Sequence, residues 1–198
     1  MFNLIKRSWP VPNQPARILL KQAIIQLAPA VHGRVLDIGA SSYLRYKHLF
    51  KNATTYTTLD IAGTPDLIGS ITAIPAPDAQ FDSIVCTQVI GDVFELHRAF
   101  AEMHRVLVDS GTALISENLF YPLHDEPHDF WRFTPYSLRA LAERAGFTVL
   151  DILPFGGYRA TARQLFISSK WSFLARFLPM PGNQNDNTPL GFVMIIRK

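Results

Sequence analysis

Residues 34–42 constrain the fold more than any other stretch of this chain. They are Arg34, Val35, Leu36, Asp37, Ile38, Gly39, Ala40, Ser41 and Ser42. A short apolar run that breaks into small residues is how a buried parallel strand ends in a tight turn. The small residue Gly39 lets backbone N–H groups come close to a bound molecule. Asp37 lies inside the apolar run, where an acid is costly to bury without a partner. A second β-rich run, Tyr56, Thr57, Thr58, Leu59 and Asp60, also ends in an acid. In doubly wound sheets an acid about twenty residues beyond the first turn meets ribose hydroxyls, and the ligand lies past the carboxyl ends of the strands.

The rest of the chain fits that frame. Further strands are expected over 66–71, 81–87, 112–117, 147–153 and 192–196, after the first two at 34–38 and 56–60. Helices are expected over 16–28, 134–145 and 159–178, with a short helix or turn over 43–50. The clearest helix carries Leu96, Ala99, Phe100, Met103, Val106 and Leu107 on one face. Asp92 suits its N-cap, and Asp109, Ser110 and Gly111 suit its end. Residues 1–15 read as an arm, because Pro10, Pro12 and Pro15 block regular pairing. Strands alternating with helices imply a parallel α/β sheet.

The 198 residues suit one domain, 1–198, with a full core. Net charge is only +3, and no basic run exceeds Lys6 and Arg7, so a nucleic-acid partner is not expected. Cys86 is the single cysteine, which excludes an internal disulfide framework and fits a reducing compartment. No apolar run approaches the ~18 residues of a membrane span, and no leader-like apolar region is visible. A cytoplasmic protein is the expectation.

Three pieces in order carry a family likeness: Val35 to Gly39, then Leu59 and Asp60, then Phe81, Asp82, Ser83, Ile84, Val85 and Cys86. Together they resemble the class I S-adenosylmethionine-dependent methyltransferases, in particular the small type 11 domains, over residues 34–150. The resemblance implies a Rossmann-like, doubly wound, mostly parallel seven-stranded sheet with an antiparallel last strand and helices on both faces. It implies S-adenosylmethionine as cofactor. Asp37, Gly39, Ala40 and Ser41 would hold its amino acid end, and Asp60 with Ile61 its ribose. Ser70 and Ile71 would flank the adenine, and Thr87 and Gln88 would line the floor. The family's first loop usually carries three glycines; this chain keeps only Gly39. Ser70 stands where an acid is common.

Methyl transfer needs mainly proximity and alignment, and a hydroxyl nucleophile also needs a base. The loop 121–133 follows the fifth expected strand, where ligands bind, and holds His124, Asp125, Glu126, His128, Asp129 and Arg132. His128 and Asp129 are the first candidates for base and orienting acid, with His124 next. Against that role, Phe130, Trp131 and Phe133 suit pinning the loop, and Arg132 suits pairing with Asp129. No standard zinc spacing fits these residues, so no metal is expected. His97 and His104 are expected to be solvated, and Cys86 to be a buried filler.

The expected function is transfer of a methyl group to a hydroxyl or amine of a small molecule: a sugar, lipid or secondary metabolite. One competing reading is a nicotinamide-dependent oxidoreductase, opposed by the missing G-x-G-x-x-G turn. The other is a degenerate methyltransferase fold acting as a binding or scaffold module. Residues 155–190 read as a helical lid or insertion before the last strand. Residues 170–178 are amphipathic enough for weak contact with a membrane surface, without insertion.

Overall fold

The computed structural model describes residues 14–40, 44–167 and 187–198. Its strands are β1 (His32–Ile38), β2 (Asn52–Asp60), β3 (Leu67–Ile68), β4 (Phe81–Thr87), β5 (Leu107–Asn118), β6 (Thr148–Phe155) and β7 (Gly191–Arg197). They form one seven-stranded sheet in the order β3-β2-β1-β4-β5-β7-β6. β1 runs parallel to β2 and β4, and β4 parallel to β5. β7 is antiparallel to both β5 and β6. This is the doubly wound sheet with an antiparallel last strand that the family resemblance implies.

Alternate side chains of each inner strand feed two cores, because successive residues of a strand point to opposite faces. Val35, Val85, Leu114 and Val193 pack with α1 (Pro15–Leu27) and α4 (Tyr158–Ile167). Leu36, Ile38, Ile84 and Cys86 pack with α2 (Leu96–Val106) and α3 (Pro135–Arg144). Each such side chain contributes roughly 1.5–3 kcal/mol on burial. Asp37 follows this alternation and points to the α1 side, beside Tyr56.

The front end of β1 is fastened to β4. Asp82 accepts from the Arg34 backbone N–H at 2.7 Å and from its Nε and Nη2, both at 3.0 Å. α3 starts as its sequence dictates. Thr134 Oγ1 accepts from the Ser137 N–H at 3.2 Å, Ser137 Oγ accepts from the Thr134 N–H at 3.0 Å, and Pro135 takes the first turn.

Several boundaries differ from the sequence reading. Leu107, expected on the helix, opens β5 and pairs with Phe81. The turn residues Asp109, Ser110 and Gly111 therefore lie within the strand, with Ser110 left-handed at φ 65°. Asp92 does not cap α2: Glu95 precedes that helix, and Asp92 sits in a 3-10 turn, Ile90–Asp92. β2 begins at Asn52 rather than 56, and Pro15 opens α1 instead of closing the arm. β6 runs on through Pro154, which an edge strand tolerates because its N–H is not needed. His104 is not free in solvent: its ring meets Phe147 edge-on at 5.0 Å, and burial lowers its pKa. The arm 1–13, Ser41, and the 170–178 segment lie outside the described residues.

The sheet order reverses between β1 and β4. A doubly wound sheet leaves a crevice at such a point, at the carboxyl ends of the strands.

Candidate active site

A cavity of about 280 Å³ opens at that crevice. The end of β1 supplies Asp37, Gly39 and Ala40, the end of β4 supplies Thr87 and Gln88, and β5 with its loop supplies Asn118, Tyr121 and His124. Gly39 turns there at φ 75°, and its N–H is tied to the Leu59 carbonyl at 2.8 Å. A Cβ on Gly39 would overlap Val89 just past β4, so the two strand ends can approach only around a glycine. Gln88 is left-handed at φ 59°. Such a non-glycine residue carries about 1–3 kcal/mol of strain, and this one is held by its N–H on the Ser116 carbonyl at 2.9 Å.

The two ends of the cavity differ in charge. At the β1 end the Asp37 carboxyl is buried at 6 % exposure and accepts from Tyr56 Oη at 2.6 Å. Burial pushes it up to about 6, against the pull of the Tyr56 bond. Arg17 on α1 and Arg45 line the same cavity. A buried carboxylate and two guanidiniums lining one cavity complement a zwitterion, so these residues fit an amino acid moiety.

At the β5 end stands His124. Its Nδ1 lies 3.2 Å from Asp129 Oδ2, and its backbone N–H donates to the same oxygen at 3.0 Å. Its Nε2 lies 3.8 Å from Asp92 Oδ1, and its ring meets Tyr121 edge-on at 5.5 Å. Asp129 is nearly enclosed, with its side chain 2 % exposed. The Arg132 guanidinium donates to both its oxygens and holds its carboxyl well below the usual range; the His124 bonds help. Arg132 also donates to the Tyr121 and Pro122 carbonyls, so the loop is pinned from within. Burial pushes the Asp92 carboxyl up, and His124 offsets part of that shift.

Donor atoms of Asp92, His124 and Asp129 lie within 4.8 Å of one another. A cation there would face the Arg132 guanidinium, which already occupies both Asp129 oxygens. The cluster is therefore better suited to handling a proton than a metal.

The cavity gathers Asp37, Gly39, Ala40, Thr87, Gln88 and His124 from the sequence candidates. Asp60 stands at the end of β2, one strand over, where its Oδ1 accepts from the Ala62 N–H at 3.3 Å, and it does not line the cavity. Ile61 is exposed, and Ile71 packs into the core beside Leu59. Ser70 Oγ bonds Thr72 Oγ1 at 2.8 Å. His128 is exposed with its ring against Phe130, and it too is absent from the cavity lining.

Sequence reasoning missed Arg17, Arg45, Asn118 and Glu117. The two arginines carry no local signal, since any surface helix or loop holds such residues. Glu117 did carry one: like Asp37, it is an acid closing an apolar strand. It is 4 % exposed, and burial pushes it up to about 8 although the N–H groups of Gly91, Val89 and Ile90 pull it down.

Residues 36–115 match the family described as a methyltransferase domain. No curated protein matches the chain. Among solved structures, a methyltransferase from Thermotoga maritima, named as a possible histamine N-methyltransferase, is 17% identical over 91% of this chain and 88% of that one, with a TM-score of 0.63. An S-adenosylmethionine-dependent methyltransferase from Mesorhizobium loti is 15% identical over 88% of this chain and 95% of that one, with a TM-score of 0.60. The cyclase SpnF is 17% identical over 90% of this chain and 79% of its own, with a TM-score of 0.62. At these identities the likeness is one of fold.

Proposed function

We propose that this chain, whose residues 36–115 match a methyltransferase domain, is a class I S-adenosylmethionine-dependent methyltransferase that methylates a hydroxyl or amine of a small molecule at the β5 end of the cavity. A sugar, a lipid or another secondary metabolite fits this reading. The observation that carries it is the pairing of the two cavity ends: a zwitterion-binding end at Asp37, Arg17 and Arg45, and a proton-accepting end at His124. When bound, S-adenosylmethionine supplies a methyl group on a sulfonium leaving group.

The chain's residues divide the remaining work. Asp37 takes the ammonium of the cofactor's amino acid end, and Arg17 with Arg45 takes its carboxylate. Asp60 serves the ribose from the neighbouring strand end, with Ile61, Ser70 and Ile71 further along that side. Asp129, fixed by Arg132 and 3.2 Å from His124 Nδ1, favours by its charge the tautomer with the proton on that nitrogen and so leaves Nε2 to accept one. His124 Nε2 takes the acceptor's proton as the new bond to carbon forms. Asp92, 3.8 Å from that nitrogen, stabilises the imidazolium. His124 therefore replaces His128 as the proposed base, with Asp129 as its orienting acid. Proximity and alignment supply most of the rate, and the base is asked for about 10²–10⁴ of it.

One observation favours a second reading, a binding module without methyl transfer. Among the described residues the first loop keeps only Gly39, and SpnF, a cyclase, shares the fold. Calorimetric titration with S-adenosylmethionine and S-adenosylhomocysteine, beside NADH, separates the cases. Binding of the first two, weakened in Asp37→Asn, supports a cofactor site and justifies an acceptor screen. Failure of both to bind a folded protein would overturn the methyltransferase reading.

A further inference from the structure

A second cavity, of about 720 Å³, lies on the outer side of the loop that carries His124, between the start of α2 and the exposed flank of α3. Its volume falls in the range of small-molecule sites. Its walls are apolar: Phe94, Leu96, Trp131, Phe133 and Leu141. Phe94 is 65 % exposed and Trp131 39 % exposed, and their rings stack with centroids 6.3 Å apart. Trp131 is oriented by its Nε1, which donates to the Val93 carbonyl at 3.0 Å, so the indole face is presented in a fixed pose.

The charge around these walls is one-sided. Arg98 and Arg144 line the cavity and are exposed, and neither guanidinium has a hydrogen-bond or ion-pair partner among the described residues. Arg132 lines it too but is occupied by Asp129 and carbonyls. Among the described residues Glu95 is the only acid lining the cavity. Two guanidiniums without hydrogen-bond or ion-pair partners among the described residues, Arg98 sensing only the charge of Glu102, stand at the edge of an aromatic trough and complement a molecule with an apolar body and one anionic head.

We propose that this α2–α3 cavity is a binding site for a single-chain amphipathic carboxylate, distinct from the cavity at the strand ends. The apolar body lies along Phe94, Trp131 and Leu141, and the carboxylate is held by Arg98 and Arg144. The site borders the catalytic loop. The Trp131 N–H bonds the Gly91 carbonyl at 3.0 Å, next to Asp92, and the Trp131 carbonyl accepts from Arg132 at 2.9 Å. An occupant would thus stiffen the segment that orients His124.

The test is titration of the full chain with dodecanoate and with dodecanol, both below micelle-forming concentration, followed by calorimetry and by tryptophan emission. The expected result is saturable one-to-one binding of dodecanoate, at least about ten-fold tighter than dodecanol. The double variant Arg98→Gln, Arg144→Gln, both exposed positions, should erase that preference. Trp131→Phe should remove the emission change, and His124→Ala should leave the affinity as it is. Equal affinity for acid and alcohol, or no loss in the double variant, would overturn anion recognition. Absence of dodecanoate binding, or its loss in His124→Ala, would overturn the site.

Discussion

At the scale of single residues, His124 and His128 show how spacing differs from position. Both lie in one loop within a few residues of Asp129, and nothing local separates them. The fold does: Asp129 turns back to accept from the His124 backbone N–H and lies 3.2 Å from its ring Nδ1, while His128 faces outward. His124→Ala should lower kcat by about 10²–10⁴ with cofactor affinity unchanged, and His128→Ala should leave both near wild type. Steady-state rates and calorimetry on the two variants check this. Asp37 sets a pH dependence. Its carboxyl sits at about 6, so its charge is present at neutral pH and is lost as pH falls through that value. Affinity for S-adenosylhomocysteine should therefore drop as pH falls below about 6, and Asp37→Asn should bind weakly with a flat profile. A wild-type affinity indifferent to this range would remove Asp37 from the amino acid end.

At the scale of elements, boundaries follow where local chemistry decides and drift where tertiary pairing does. α3 begins at the residue its capping box demands, and β4 has its expected ends, because both signals are short-range. Thr134→Ala should cost about 1 kcal/mol in urea unfolding, with little effect on cofactor binding. β5 was misjudged at its start. Asp109, Ser110 and Gly111 form a strong turn signal, yet Leu107 pairs with Phe81 and carries the strand through them. Two elements that meet only in the fold decided that boundary. The same limit governs the site. Asp37, Gly39 and Gln88 were legible because each closes a strand at the crevice. Arg17 reaches the cavity only because α1 packs against α4, β6 and β7 at this side of the sheet, a fact no window of sequence contains.

At the scale of the whole molecule, the centre of the sheet holds an acid, Glu117, that burial keeps protonated. The Glu117 pKa in the folded state, about 8, lies above its ordinary value of 4.5, so the folded protein holds this proton longer than the unfolded chain. The stability tied to that proton is complete below about pH 4.5 and is lost as pH rises through 8. Glu117→Gln should remove this alkaline loss, so urea unfolding of the two proteins should diverge more at high pH than at low. Parallel curves would assign the alkaline loss to other groups. Cys86 stands in β4 beside that acid's strand, fully enclosed, and burial first, then Glu117 and Asp37, raise its thiol well above the usual range. A sulfhydryl reagent cannot reach it in the intact fold. Its labelling rate by such a reagent is thus a built-in clock for opening of the central strands in the purified protein, and a tightly bound cofactor at a hundred-fold excess over Kd should slow that clock by about 100-fold.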